Sequence, residues 1–312
     1  IAMNYIIGSG LVAFIAKHML PDWEIIPAGK SRFFQFDVAT CDGYVIYNDK
    51  IADIMRSISM RSGSDIAPLM SPLIFKRAIS FGGELVFNKN ELLLSQWLRK
   101  IYGNEAPSYS YDLLPTEFFV YGMSAVSIFR ALEQECLSSF RQSIERKESI
   151  IAIYPQERFI RTSHRELEYN KCINTVPLDA FLKWCGMPEK LESRDMHTCL
   201  IQTNKLDFEG ASEVLIADNE IDFYKCTRIA RDLYQFFSTV DIPQVAHYIS
   251  LMVPDFDIVT GTCVKDAIPT SKRPGLTTLE KLGVYCVGSL AQWDDFMDIT
   301  SCIMRLQKIK ET

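Results

Sequence analysis

The chain has 312 residues, 48% of them hydrophobic and 23% charged, with a formal charge of −6. That length holds two domains or one large one, with ample material for a buried core. The acidic balance lacks the basic footprint that neutralising a phosphate backbone requires, so nucleic acid is not expected as a partner, whereas a local site can still take a small anion.

Nine cysteines run from Cys41 to Cys302 without a C-x-x-C pair. An odd, scattered set fits neither a disulfide framework nor a thiolate metal site, and a reducing cytoplasm is the expected compartment. No metal is expected, since His18, His164, His197 and His247 are dispersed along the chain. No apolar run reaches the roughly 18 residues of a membrane span. The uncharged stretch from Ile1 to Ala16 lacks the basic start of a signal peptide and is interrupted by two glycines. Ile1 and Ala2 precede Met3, which we take as the native start.

In chain order, Asn4 to Ile7 predicts a short strand that stops at Gly8-Ser9-Gly10. Leu11, Val12, Ile15, Met19 and Leu20 come next at helical spacing, Pro21-Asp22 breaks the helix, and Trp23 to Ile26 predicts a second strand. Between about 60 and 115, Pro68, Pro72, Gly82-Gly83 and Pro107 punctuate a stretch that reads as short helices and loops, Glu91 to Ile101 among them. An amphipathic helix is expected from Ala125 to Gln142. Next comes a hairpin, Ile150 to Tyr154 and Arg158 to Thr162, then strands at Lys171 to Thr175, Thr198 to Thr203 and Glu213 to Ala217. Val284 to Val287 predicts a last strand stopped by Gly288, with a helix from about Asp294 to Ile309. Neither internal repeats nor low-complexity tracts are present.

Gly8-Ser9-Gly10-Leu11-Val12-Ala13 is G-x-G-x-x-A placed after a strand and opening a helix. The first glycine permits the turn, the second lets backbone approach a diphosphate, and the alanine lets helix and strand pack closely. Unpaired N–H groups at the helix start then supply an anion site. The alternative is a glycine-rich turn that binds nothing. The acid that usually ends the second strand and meets a ribose hydroxyl is missing, and Lys30, Ser31 and Arg32 are the next polar residues, suited to a phosphate.

Two further blocks come later in the chain: Glu168-Tyr169-Asn170-Lys171-Cys172-Ile173-Asn174-Thr175-Val176-Pro177, and Gly283-Val284-Tyr285-Cys286-Val287-Gly288 with Trp293 and Asp298. With the N-terminal glycines they resemble the FAD-dependent superfamily of protoporphyrinogen oxidase, the flavin amine oxidases and UDP-galactopyranose mutase, over nearly the whole chain. The resemblance implies an α/β fold: a Rossmann-like FAD-binding domain of the glutathione-reductase type, from 1–60, 115–190 and 255–312. A smaller α+β substrate or cap domain would come from 61–114 and 191–254. It implies FAD held at the diphosphate by Gly8, Ser9, Gly10, Leu11, Val12 and Ala13, with Lys30, Ser31 and Arg32 at its phosphate or ribose end. Thr175, Pro177, Gly288, Ser289, Trp293, Asp294, Phe296 and Met297 would lie nearer the flavin. A helix N-terminus after Gly288 would stabilise a reduced, anionic ring, while Asp294 and Asp295 can instead simply cap that helix.

The sequence departs from the family where its glycine pair after the second strand becomes Lys30-Ser31-Arg32-Phe33-Phe34, and where Ser289 stands in place of an arginine. In Asp222-Phe223-Tyr224-Lys225, Lys225 replaces the arginine of a family strand, exchanging a bidentate fork for a point charge. Tyr224, Lys225 and Arg228 are the substrate-side candidates; Arg228 and Arg231 share a face if helical. The expected activity is hydride transfer from a small-molecule substrate to flavin, with no residue identified as catalytic. The alternatives are a mutase-like, non-redox use of flavin on a nucleotide sugar and a non-catalytic dinucleotide-binding subunit of a complex. Oligomerisation or a partner protein is compatible with either reading.

Overall fold

A computed structural model of the chain describes residues 2–28, 49–62, 72–103, 114–121, 131–132, 136, 148–271, 274–294 and 299–312. Lys30, Ser31, Arg32, Phe296 and Met297, and most of the helix expected over 125–142, lie outside them.

The first layer starts as its sequence dictates. Strand β1 (Met3–Ile7) alternates, Tyr5 and Ile7 facing one core and Ile6 the other, and a turn leads into helix α1 (Leu11–Met19). Lys17 in the last turn of α1 donates to the carbonyls of Pro21 and Trp23, which ties the helix exit to strand β2 (Glu24–Ile26). Helix α2 (Asp49–Ser62) sets Ala52, Met55 and Ile58 against the α1 face.

Strand β3 (Pro72–Phe81) and β4 (Glu84–Val86) form an antiparallel hairpin where helices and loops were expected. Gly82 and Gly83, both at positive φ, are its turn. Helix α3 (Glu91–Tyr102) forms as expected, with the Asn90 side chain accepting from the Leu93 N–H at its start and Gly103 at φ 74 after its end. Strand β5 (Glu117–Tyr121) pairs with β3.

The expected hairpin is β6 (Ile150–Tyr154) and β7 (Phe159–Thr162), extended by β8 (Glu166–Asn174) and helix α4 (Leu178–Trp184). Then come β9 (Ser193–Gln202), β10 (Glu213–Ile216), β11 (Phe223–Ala230), β12 (Leu233–Ser238), helix α5 (Ile242–Met252) and β13 (Asp257–Pro269). The chain ends with helix α6 (Thr277–Lys281), β14 (Val284–Cys286), the one-turn α7 (Ser289–Gln292) and α8 (Ile299–Glu311). Among the described residues no helix is long and apolar enough to cross a membrane.

Two sheets result. One runs β2-β1-β8-β7-β6 with β14 also on β8, so that β2, β1, β8 and β14 are mutually parallel and β6–β8 form an antiparallel meander. Its two faces carry separate apolar cores, one built on α1, α2 and α8, the other on α4, α6 and the meander. The second sheet runs β13-β9-β12-β11-β10-β3-β4, with β5 on β3, and all its pairings are antiparallel except β10–β3. It packs α5 on one face and α3 on the other. Strands β5 and β13, from segments expected in the first domain, pair within this second sheet.

In the tail, the helix expected from about Asp294 to Ile309 is seen as α8 from Ile299, residues 295–298 lying outside the described ones; before it, α7 closes one turn after Gly288 and Trp293 takes a left-handed conformation (φ 55, ψ 47).

Candidate functional site

The four parallel strands end at one level. Ile7 pairs with Ile26 and with Asn174, and Asn174 pairs with Cys286, so the segments leaving these strands meet along one sheet edge. In open α/β sheets ligands bind in the crevice beyond such carboxyl ends, where the chain order reverses; here β1 connects through α1 to β2 on one side and pairs with β8 on the other.

Backbone and side-chain bonds lock this edge. Gly8 N–H donates to Ile26 O at 3.0 Å, Thr175 N–H to Ile7 O at 2.9 Å, and Val287 N–H to Asn174 O at 2.9 Å. The Thr175 hydroxyl donates to the same Ile7 carbonyl at 2.8 Å. Asn174, fully buried, closes a reciprocal pair with the backbone of Val176: its Oδ1 accepts from Val176 N–H and its Nδ2 donates to Val176 O, each at 3.1 Å. Pro177 then opens α4. The Asn-Thr-x-Pro of the middle block is thus a device that ends β8 and clamps it to β1.

That clamp explains the first glycine. A Cβ on Gly8 would stand 2.0 Å from Thr175 Oγ1, on a backbone at φ +138 that L side chains rarely adopt. Ala13, completely buried, lies 3.6 Å from the same point, so a small residue there lets α1 close onto β1. Gly10 is different. Its backbone is extended (φ −98, ψ −178), and a Cβ there would meet nothing within 4 Å among the described residues. Gly10 is the exposed N-cap of α1, no side chain among the described residues caps the helix, and its first turn holds no acid. The first N–H groups of the helix therefore have neither an intrahelical acceptor nor a side-chain cap from the described residues. Ser9, Leu11 and Val12 are half-buried around this opening.

The third block reaches the same place. A Cβ on Gly288, at φ +117, would stand 3.6 Å from Val12 Cγ2. Ser289 and Asp294 are half-buried beside it, and the Asp294 N–H donates to Ser289 O. Trp293 is buried in the core beneath, its Nε1 donating to Ser271 Oγ at 3.1 Å, while Pro177 is exposed. Three blocks separated by more than a hundred residues thus converge at Gly8, Thr175, Val12 and Gly288.

Tyr224, Lys225 and Arg228 lie on β11 of the second sheet. Tyr224 is buried against Phe237, and its carbonyl accepts from Trp97 Nε1. Lys225 Nζ is 4.2 Å from the centre of the Phe237 ring and 4.0 Å from Glu213 Oε2. Glu213, 1% exposed, also receives Arg77 Nε at 2.6 Å, so the face of this sheet holds a buried acid between two cations. No local pattern in the sequence points to Arg77 or Glu213, because the strands that bring them together are 136 residues apart. Arg228 is on an extended strand, not a helix, and it donates to the carbonyls of Ala230 and Arg231. The face shared with Arg231 therefore does not exist.

A cleft of about 560 Å³ opens elsewhere, between Gly103 at the end of α3 and Ser193 and Asp266 on β9 and β13. It does not touch the glycine turn, whose chemistry is that of exposed backbone donors rather than an enclosed cavity.

No protein-family model matches the sequence, and neither does any curated protein sequence. Solved structures do match. Reduced UDP-galactopyranose mutase is similar with a TM-score of 0.60 at 12% identity, over 100% of this chain and 93% of that one. A putative protoporphyrinogen oxidase from Exiguobacterium sp. 255-15 is similar with a TM-score of 0.58 at 10% identity, over 99% of this chain and 98% of that one. Glycine oxidase from Bacillus cereus gives 0.56 at 12% identity, over 100% and 95%. The chain shares the fold of these solved proteins, among them a UDP-galactopyranose mutase and a putative protoporphyrinogen oxidase, two of the kinds its three sequence blocks resemble.

Proposed function

We propose that the chain is an FAD-dependent oxidoreductase acting on a small molecule, with the dinucleotide lying across the edge where β1, β8 and β14 end. The observation that carries this reading is the contrast between the two N-terminal glycines: Gly8 is required by Thr175 inside the protein, whereas Gly10, at the start of α1, meets none of the described residues. Internal packing accounts for the first glycine and leaves the second to close approach by a ligand. A diphosphate fits that opening, since backbone N–H donors and the positive end of the helix dipole converge there and need no cationic side chain to attract an anion.

In this reading the backbone of Gly10, Leu11 and Val12 orients the diphosphate. Thr175, Pro177, Gly288 and Ser289 form the rim toward the flavin; Lys30, Ser31 and Arg32, expected at the ribose end from the sequence, lie outside the described residues. Bound FAD would supply the redox chemistry by accepting a hydride equivalent from substrate. The residues of the chain bind, orient and exclude water. Tyr224 and Arg228 have structural partners of their own, and the charge of Lys225 is balanced by Glu213 within the sheet, so no substrate contact is proposed for them.

The test is an absorbance spectrum of the purified protein, with mass analysis of the material released by heat. Flavin bands and a mass matching FAD are expected. The Gly10→Val protein should fold, losing no more than about 1 kcal/mol at the helix N-cap because its side chain meets none of the described residues, yet fail to hold FAD. A wild-type protein that is colourless and takes up no added FAD overturns the reading.

A further inference from the structure

Strands β9 and β13 lie side by side at the edge of the second sheet, and their register sets His197 directly opposite Cys263. Asp195 stands two residues before His197, hence on the same face of β9. Cys263 Sγ is 3.8 Å from His197 Nε2, and one ligand atom from each of Asp195, His197 and Cys263 lies within 4.8 Å of the others. All three residues are half-buried: reachable from solvent, yet held by the sheet.

We propose that Asp195, His197 and Cys263 bind one thiophilic divalent transition-metal ion of the zinc class. An oxygen, a nitrogen and a sulfur form a borderline-soft set that suits such an ion and does not suit calcium or magnesium. Around a tetrahedral ion with metal–sulfur and metal–nitrogen bonds of ordinary length, the two donor atoms sit roughly 3.5 Å apart, close to the spacing already present. Three protein ligands leave a fourth position for water or an exogenous ligand.

The backbone supplies the support that ligands need. The ladder is irregular between Val264 and Ile268, and within that irregularity Asp266 adopts a positive φ of 52. The strained turn aims the Asp266 N–H at Asp195 Oδ1, 3.0 Å away, while the Asp266 side chain accepts from Ser193 Oγ at 2.8 Å. An oriented, hydrogen-bonded carboxylate is what a ligating acid requires. Lys265 Nζ bonds the other oxygen of Asp195 at 2.5 Å, and its side chain is 69% exposed. An incoming cation displaces this exposed lysine into water at little cost. On binding, the Cys263 thiol loses its proton to buffer as the metal–sulfur bond forms, and no electrons are exchanged.

The site is independent of flavin and is tested on the full chain, stripped with chelator and titrated with Co²⁺ alone. A thiolate-to-cobalt band in the near ultraviolet should rise to one equivalent. It should vanish in Cys263→Ser and persist in Cys185→Ser, the other partly exposed described cysteine. His197→Ala should weaken binding at least about tenfold, the scale at which even outer-sphere losses act. Lys265→Met, an exposed change that leaves the ladder intact, should tighten binding up to about fivefold by removing the competing ammonium. Thermal unfolding followed by circular dichroism confirms that each variant is folded. Absence of the band in wild type, its survival in Cys263→Ser, or indifference of the affinity to both His197→Ala and Lys265→Met overturns the site.

Discussion

The two sheets solve different problems with different materials. At the carboxyl edge of the parallel strands, the working parts are backbone: Gly8 on Thr175, Gly288 on Val12, and the uncapped N–H groups after Gly10. On the second sheet the working parts are side chains: Arg77 and Lys225 on either side of the buried Glu213, and Asp195, His197 and Cys263 on one ladder. A backbone device depends on small residues at fixed spacing and so leaves a motif in the sequence. A side-chain device depends on strand pairing and leaves none.

The largest effect that separates the two is expected at Arg77. Replacing it with methionine leaves Glu213 buried with the more distant Lys225 as its charge partner among the described residues, and removing one partner of a buried pair costs about 3–5 kcal/mol. The double variant Arg77→Met with Glu213→Met should recover most of that loss in urea unfolding, since a well-packed apolar pair is a fair substitute for a buried ionic one. No recovery would mean that the pair does more than compensate charge.

Gly8→Ala comes next. Its Cβ must displace the Thr175 hydroxyl while the backbone holds a positive φ, together about 2–4 kcal/mol from strain and a lost hydrogen bond. Adding Thr175→Ala should restore part of the stability by removing the 2.0 Å clash. The contrast with Gly10→Val, expected to cost no more than about 1 kcal/mol, is the sharpest check on the separate jobs assigned to the two glycines.

A smaller and pH-dependent effect is expected at the other end of the parallel sheet. There Arg165 bonds both carboxylate oxygens of Glu148 at 2.8 Å and also bridges to Glu24 on β2. Burial by itself would raise the Glu148 carboxyl, but the Arg165 guanidinium and the Thr162 hydroxyl outweigh it and hold the acid below the usual carboxylate range. Because the folded value is depressed, the stabilisation is complete above the unfolded value of about 4.3 and is lost as pH falls through the folded one. Glu148→Gln should therefore cost about 1.5–3 kcal/mol at neutral pH, with the gap to wild type closing in acid. A gap that stays constant down to the acid transition would assign the effect to packing.

Local signals made much of the first layer legible. G-x-G-x-x-A between an apolar run and a helical period marked out β1, α1 and β2, because each piece forms from contacts within a few residues. The β6–β7 hairpin and α3 were legible for the same reason, through the Pro155 turn and the helical period from Glu91. Strand β3 was not. Pro72 and Gly82-Gly83 read as breakers of short helices, yet they bound a ten-residue strand whose partners, β10 and β5, lie far along the chain.

By itself the sequence determined the glycine-rich turn and its place between a strand and a helix, because glycine acts through backbone conformations written one residue at a time. Only the tertiary structure decided that Thr175 fills the space beside Gly8 and leaves Gly10 open. It also decided that Trp293 turns left-handed before α8, and that a histidine and a cysteine 66 residues apart face each other across one ladder. The physical reason is common to all of these: which side chains meet across a sheet is set by register, and register is fixed by the burial of whole faces rather than by any local run of residues.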